Sequence, residues 1–266
     1  MPDIHPTAVV DPNAKIADDV SIGPLCIVDG NVTIGEKTKL VGQCYITGHT
    51  TIGARNEIYP GACIGAPPQD VSWDDSIISY VEIGDDNRIR EHVTIHRGSK
   101  QGSKTTIGNN NYLMNYVHIG HDCTIGSFIA MVPYSGASGH CELMDRCFIS
   151  GLSGMHQFCR VGRFAMLSGS SAIAKDLPPF MIADGRHGSI RGINIVALRR
   201  NNFTPDTIRV IKEIYQIFYR SDLNQTNALE KIKTDLPRID EVKEFIDFVE
   251  SSERGVIHGL SLGRRE

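Results

Sequence analysis

Eighteen apolar residues never run together in this 266-residue chain, so the sequence offers no helix to span a bilayer and no membrane insertion is expected. A basic excess is also missing. Lys and Arg total 27 against 31 Asp and Glu, for a net charge of -4, and nucleic-acid binding normally shows as a basic stripe. The N-terminus, MPDIHPTAVV, lacks the basic and apolar regions of a signal peptide. Seven cysteines are an odd number, and their spacing matches neither a zinc site nor a secreted disulfide framework. These absences suggest a reduced, cytoplasmic protein without metal or organic cofactor.

What is present is a period of six. Stepping from Val10 meets Ile16, Ile22, Val28 and Ile34, and every sixth residue stays aliphatic as far as Ile64. The series resumes at Ile83, Ile89 and Ile95, and again from Ile107 to Ile173 with no polar interruption. Such a period fits neither an amphipathic helix nor an alternating strand. It predicts a solenoid in which each hexad is a short strand and a turn, three hexads making a triangular coil. The expected fold is a left-handed parallel β-helix with the aliphatic residue inward. Glycines one residue after the aliphatic (Gly23, Gly35, Gly53, Gly65) are expected at corners that need positive φ.

Two breaks interrupt the repeat. Between Ile64 and Ile83 the step is nineteen, and the position expected after Ile95 falls on Gln101. Both predict projecting loops, over 66–82 and 97–106, and loops on a rigid solenoid often build sites. After Ile173 comes a Pro/Gly connection, KDLPPFMIADG, and then different material. Thr204-Pro205 reads as a helix start, with an apolar stripe of Ile208, Ile211, Ile214, Tyr215 and Phe218. Further helices are predicted near 224–235 and 239–252. The division is therefore a solenoid over 1–190 and a small helical domain over 191–266.

Phase also places side chains. Cys26, Cys44, Cys123, Cys141, Cys147 and Cys159 each lie two residues before the aliphatic and should point inward as small hydrophobes. HIGHDC brings His118, His121 and Asp122 together. Eighteen-residue stacking puts Gly139 above His121, His140 above Asp122, and His156 above Ser138. A polar residue at a solenoid corner is ordinarily just solvated. Here, though, the group offers a general base, an orienting carboxylate and a backbone N–H unshielded by a side chain. Acyl transfer to a substrate hydroxyl needs those three parts and no nucleophilic side chain.

Several segments carry a closer likeness. The motifs NRIREHVTIHRG (87–98), HIGHDCTIG (118–126), GMHQF (154–158), DLPPFMIADG (176–185), GINIVALRR (192–200) and SSERGVI (251–257) resemble the UDP-N-acetylglucosamine O-acyltransferases of lipid A biosynthesis. The resemblance implies a cytoplasmic homotrimer that moves a 3-hydroxyacyl chain from acyl carrier protein to the 3-hydroxyl of a UDP-amino sugar. It implies His121 as base, Asp122 as its partner and Gly139 as oxyanion donor. It further implies substrate contacts at Asp70, His118, His140, His156, Gln157, His187, Asn194 and Arg200, with Gly169 limiting acyl length. A docking patch for the acidic carrier is implied at Arg199, Arg200, Arg209, Lys212 and Arg220.

Some positions depart from that pattern. Ser72 replaces a Lys, Pro133-Tyr134 an Asn pair, Ser138 an Ala, Arg186 an Asn and Asn201 an Arg. Losing a cation near an anionic substrate costs a few kcal/mol unless another group replaces it. Three other readings remain beside the leading one: a paralogue making an amide on a 3-amino sugar, a γ-class carbonic anhydrase using His118 and His121, and a non-catalytic scaffold.

Overall fold

A computed structural model describes residues 1–259; the last seven residues of the expected helical domain lie outside the described residues. The chain winds through three sheets in turn. Sheet A has eleven strands, sheet B nine and sheet C eight. Neighbours through the coils are parallel and pair aliphatic with aliphatic, as in Ile58↔Ile89, Ile95↔Ile119 and Ile107↔Ile125. The architecture is the left-handed parallel β-helix that the hexads imply. Aliphatic residues fill its axis: Leu40, Ile46, Ile58, Ile64, Ile89 and Leu113 are fully buried, each worth about 1.5–3 kcal/mol of burial. The N-terminal coil is open, and Val10 and Ile16 are only half-buried.

The glycine expectation needs correction. The left-handed φ occurs three residues after the aliphatic, and mostly at residues with side chains, among them Leu25, Tyr116, Asp122, His140 and Phe158. Gly23 is not among the residues with positive φ. Its role is close approach: a Cβ there would lie 2.1 Å from the Val41 carbonyl oxygen of the next coil. Of the four glycines, Gly65 alone has positive φ, +86°.

The six phased cysteines are buried and Cys63 is half-buried. One polar stack shares the interior. Asn87 and Asn111 donate backbone N–H to the side-chain oxygens of Asn56 and Asn87, and Asn111 receives Ile129 N–H. Each amide thus keeps coil register without leaving a buried group unpaired.

The loops are shorter than expected, running 67–79 and 97–103, because Ala66, 80–83 and 104–107 are paired in the ladders. The solenoid also runs further than its hexads. Met181–Asp184 adds parallel to sheet A, and Ser189–Ile193 returns antiparallel. Four helices follow: α1 (Ile195–Arg200), α2 (Pro205–Tyr219), α3 (Gln225–Asp235) and α4 (Asp240–Glu250). Thr204 caps α2 by accepting from Thr207 N–H. Helix α1 was not foreseen; six residues carry too little periodicity to be read. In α2 the buried stripe includes Val210 in place of Ile208, which is half-buried. Arg160 fastens the tail to the solenoid through Asp176, Phe248 and Ser251.

Candidate active site

The prism has three edges, and the site lies on the one between sheets B and C. Both loops leave there, and so does the corner between His118–Ile119 and Thr124–Ile125. His121 and Asp122 occupy that corner with 12% and 10% of their side chains exposed. His121 Nδ1 lies 2.8 Å from Asp122 Oδ2.

The same carboxylate oxygen receives Ser99 N–H at 2.9 Å and Ser99 Oγ–H at 2.7 Å. Burial pushes the Asp122 carboxyl up, but hydrogen bonds from Ser103, Ser99 and His121 outweigh it and hold the acid below its ordinary range. An ionised carboxylate only accepts, so His121 Nδ1 carries the proton and Nε2 is left as the basic nitrogen.

Gly139 sits against that ring. A Cβ at this position would lie 2.5 Å from both Nε2 and Cε1 of His121. Only a glycine lets the imidazole lie this close to the neighbouring coil. Among the described residues the Gly139 N–H has no partner, while its carbonyl accepts from Phe158 N–H. His140 meets His121 edge-on at 5.0 Å, stacks on Phe158 at 4.5 Å, and its Nε2 is 3.7 Å from Asp122 Oδ2. Burial pushes its imidazolium down, with Asp122 opposing.

Three residues that the sequence reading missed surround this group. Ser99 is one. His96, buried, donates from Nδ1 to Pro67 O at 2.5 Å; burial lowers its pKa. Thr94 Oγ1 holds His118 Nδ1 at 2.8 Å. Burial, then the facing His96 and His121, push His118 down to about 4. The repeat gave a signal for Ser99: its loop leaves the B/C edge one coil before His121.

The remaining expected residues divide into three places. Asp70 is in the 67–79 loop, close enough to His121 for that ring to contribute slightly to lowering its carboxyl. Ser72, at the departure from the family pattern, donates its N–H and Oγ–H to Asp70, which lies below its ordinary range for that reason. A second group lies across the face of sheet B. Gly136 and Gly154 continue the row begun by His118 and leave the face bare. They line a cavity of about 630 Å³ with His156, Arg186 and His187. Gln157 is exposed beside His156. Gly169 is exposed at the far edge of this sheet, where Tyr134 also sits, stacked on Tyr116 at 4.9 Å.

Asn194 and Arg200 are in a third place, the edge between sheets C and A, and do not reach His121 within one chain. Asn194 is buried and caps α1, accepting from Ala197 N–H while its Nδ2 donates to Phe164 O. For a cation, the ligand atoms of His121, Asp122 and His140 lie within 4.8 Å of one another. His118, which the carbonic anhydrase reading required, is not in that group. The arrangement suits proton abstraction by an oriented imidazole beside a free backbone donor.

The chain is similar to known proteins along nearly its whole length. The profile described as "Udp N-acetylglucosamine O-acyltransferase; Domain 2" matches residues 176–257, and the bacterial transferase hexapeptide profile matches 104–127. A relative from Burkholderia mallei (strain SAVP1), named Acyl-[acyl-carrier-protein]--UDP-N-acetylglucosamine O-acyltransferase, is 48% identical over 266 residues, covering 97% of this chain and all of its own. The solved UDP-N-acetylglucosamine acyltransferase of Francisella novicida superposes with a TM-score of 0.94 at 40% identity, covering 97% of this chain and 95% of its own. The Arabidopsis UDP-N-acetylglucosamine acyltransferase superposes at 0.86 and 31%, covering 96% and 99%.

Proposed function

The chain belongs to the UDP-N-acetylglucosamine O-acyltransferase family, and on that premise we propose that it moves a 3-hydroxyacyl chain from acyl carrier protein to the 3-hydroxyl of UDP-N-acetylglucosamine, opening lipid A biosynthesis. One observation carries the reading of the site: His121, fixed by the ionised Asp122, lies against Gly139 with Nε2 as its basic nitrogen.

In this mechanism Nε2 takes the hydroxyl proton as the sugar oxygen attacks the thioester carbonyl. The oxyanion receives the Gly139 N–H. Collapse breaks the carbon–sulfur bond, and the departing thiolate takes the proton from Nε2. Neutral His118, with His140 and His156, position the sugar. Asp70 and Gln157 contact the nucleotide sugar from the same edge, and the bare face of sheet B takes the acyl chain toward Gly169. His187 lies along that face.

The active unit is a homotrimer. What supports this is the separation of Asn194 and Arg200 from His121 in one chain: they complete the site only if a second copy presents its C/A edge. A cytoplasmic location fits those substrates, and among the described residues no helix is long and apolar enough to cross a membrane. A 3-amino sugar would use the same base, but the acceptor named for the relatives favours the hydroxyl.

The test is mass-spectrometric detection of acyl transfer from a panel of 3-hydroxyacyl carrier proteins to UDP-N-acetylglucosamine, with His121→Ala as control. Product made by the native chain and lost in the variant is expected. Equal product from both would remove His121 from its role, and no product with any donor would overturn the acceptor.

A further inference from the structure

The C/A edge carries an arginine that the mechanism does not use. Phe128 and Arg146 occupy the same corner position in consecutive coils, with φ of +58° and +60°. They face α1 across a cavity of about 500 Å³, whose apolar lining includes Phe148, Met166, Ile182 and Val196. Arg200 and Asn201 complete the lining.

Arg146 is held on two sides. Its guanidinium lies 4.2 Å over the Phe128 ring, and Nη1 donates to Asn201 Oδ1 at 2.8 Å. The Asn201 amide is itself fixed, because Nδ2 donates to Ala197 O at 2.8 Å. Its oxygen must therefore face the guanidinium. One of five guanidinium N–H groups is used by that bond.

Among the described residues no carboxylate pairs with either arginine of the site. Arg55, Arg160 and Arg163 each pair with an acid. Arg146 and Arg200 pair with none among the described residues. Two cations thus line one largely apolar cavity, with one of them locked in place by an aromatic ring and a neutral amide. A guanidinium built in this way is preorganised for an anion from outside, and phosphate oxygens match its fork.

We propose that Arg146 is a phosphate-binding residue of this enzyme, with Asn201 as the residue that positions it. This rests on the reading of the chain as an acyltransferase, whose two substrates both carry phosphate: the diphosphate of the nucleotide sugar, and the phosphodiester through which a carrier protein holds its thiol arm. The apolar lining accommodates the uncharged part next to that phosphate.

Two variants of the full chain separate binding from tethering. Arg146→Gln keeps a donor for Asn201 but removes the charge. Asn201→Asp keeps an acceptor for Arg146 and neutralises it with a carboxylate, while giving up the Nδ2 bond to Ala197 O. Both should raise KM for one substrate about tenfold, with kcat within about threefold and, for Arg146→Gln, Tm unchanged. A rise for UDP-N-acetylglucosamine assigns the diphosphate, and a rise for acyl carrier protein assigns the phosphodiester. Unchanged KM values in both variants, while the native chain turns over, would overturn the proposal, and so would a loss confined to Tm. If the native chain turns over neither substrate, the acyltransferase reading fails. The proposal is then read by calorimetric titration with inorganic pyrophosphate: weaker binding to Asn201→Asp supports it, and no binding to the native chain overturns it.

Discussion

Replacing Gly139 with Ala adds one methyl group and should remove most of the activity without unfolding the chain. The methyl carbon would fall 2.5 Å from Nε2 and Cε1 of His121 and 3.0 Å from Nδ1, so the ring must move about 1 Å to reach van der Waals contact near 3.5 Å. The backbone tolerates the change, because Gly139 is not among the residues with positive φ. Three losses follow. The 2.8 Å bond from Nδ1 to Asp122 lengthens, and a bond to a charged group is worth about 1.5–3 kcal/mol. The base leaves its attack geometry, for which a displacement of about 1 Å costs about 10²-fold. The methyl also crowds the space beside the free N–H, and one oxyanion donor is worth about 10²–10³-fold. These effects overlap, so kcat should fall by about 10²–10⁴-fold. Initial rates at saturating substrate, with Tm by calorimetry on the same samples, provide the measurement. A kcat within about threefold of native would refute both the contact and the role of His121. A Tm drop of more than about 10 °C would mean that the methyl disrupts the coil instead of the base.

Two further changes test other parts of the structure. His118 has a folded pKa near 4 against 6.5 for the free side chain, so below pH 6.5 the unfolded chain binds a proton that the native state resists. Stability is complete above 6.5 and falls toward pH 4, by on the order of 2 kcal/mol at pH 5 from this group. His118→Gln should therefore shrink the difference in Tm between pH 7 and pH 5, and an unchanged difference would contradict the burial argument. Asp176, 1% exposed, accepts from Arg160 N–H, Arg160 Nε and Ser252 Oγ–H. Asp176→Ala strands the guanidinium between solenoid and tail and should cost about 3–5 kcal/mol in denaturant unfolding; a loss below about 1 kcal/mol would show the junction to be independent of that pair.

The fold was legible because a solenoid makes its core by strictly local rules. Once Ile22, Val28, Ile34 and their successors recur every sixth residue, each must point inward, and the eighteen-residue coil follows. The same arithmetic stacks Gly139 on His121 and His140 on Asp122. It also sent six cysteines inward, where they are found.

What escaped the repeat was whatever left it. Ser99 reaches Asp122 from a loop, and the path of a loop is set by contacts such as Ile78 N–H with Gln101 Oε1, which no period encodes. The left-handed corners fall on residues such as Tyr134 and Phe158 instead of glycine, because parallel ladders on both sides over-determine the backbone and outweigh its intrinsic cost. Continuation of sheet A through Met181–Asp184 was hidden because capping a solenoid needs only packing against the last coil. The sequence by itself determined the solenoid, its phase and the meeting of His121, Asp122 and Gly139, since these depend on position modulo eighteen. Only the tertiary structure decided that Asp122 is held ionised by Ser103 and Ser99, that His118 is kept neutral by burial, and that Arg146 rests on Phe128 and Asn201. Those depend on contacts between segments as far apart as 55 residues, and on a dielectric that exists only once the chain has closed around them.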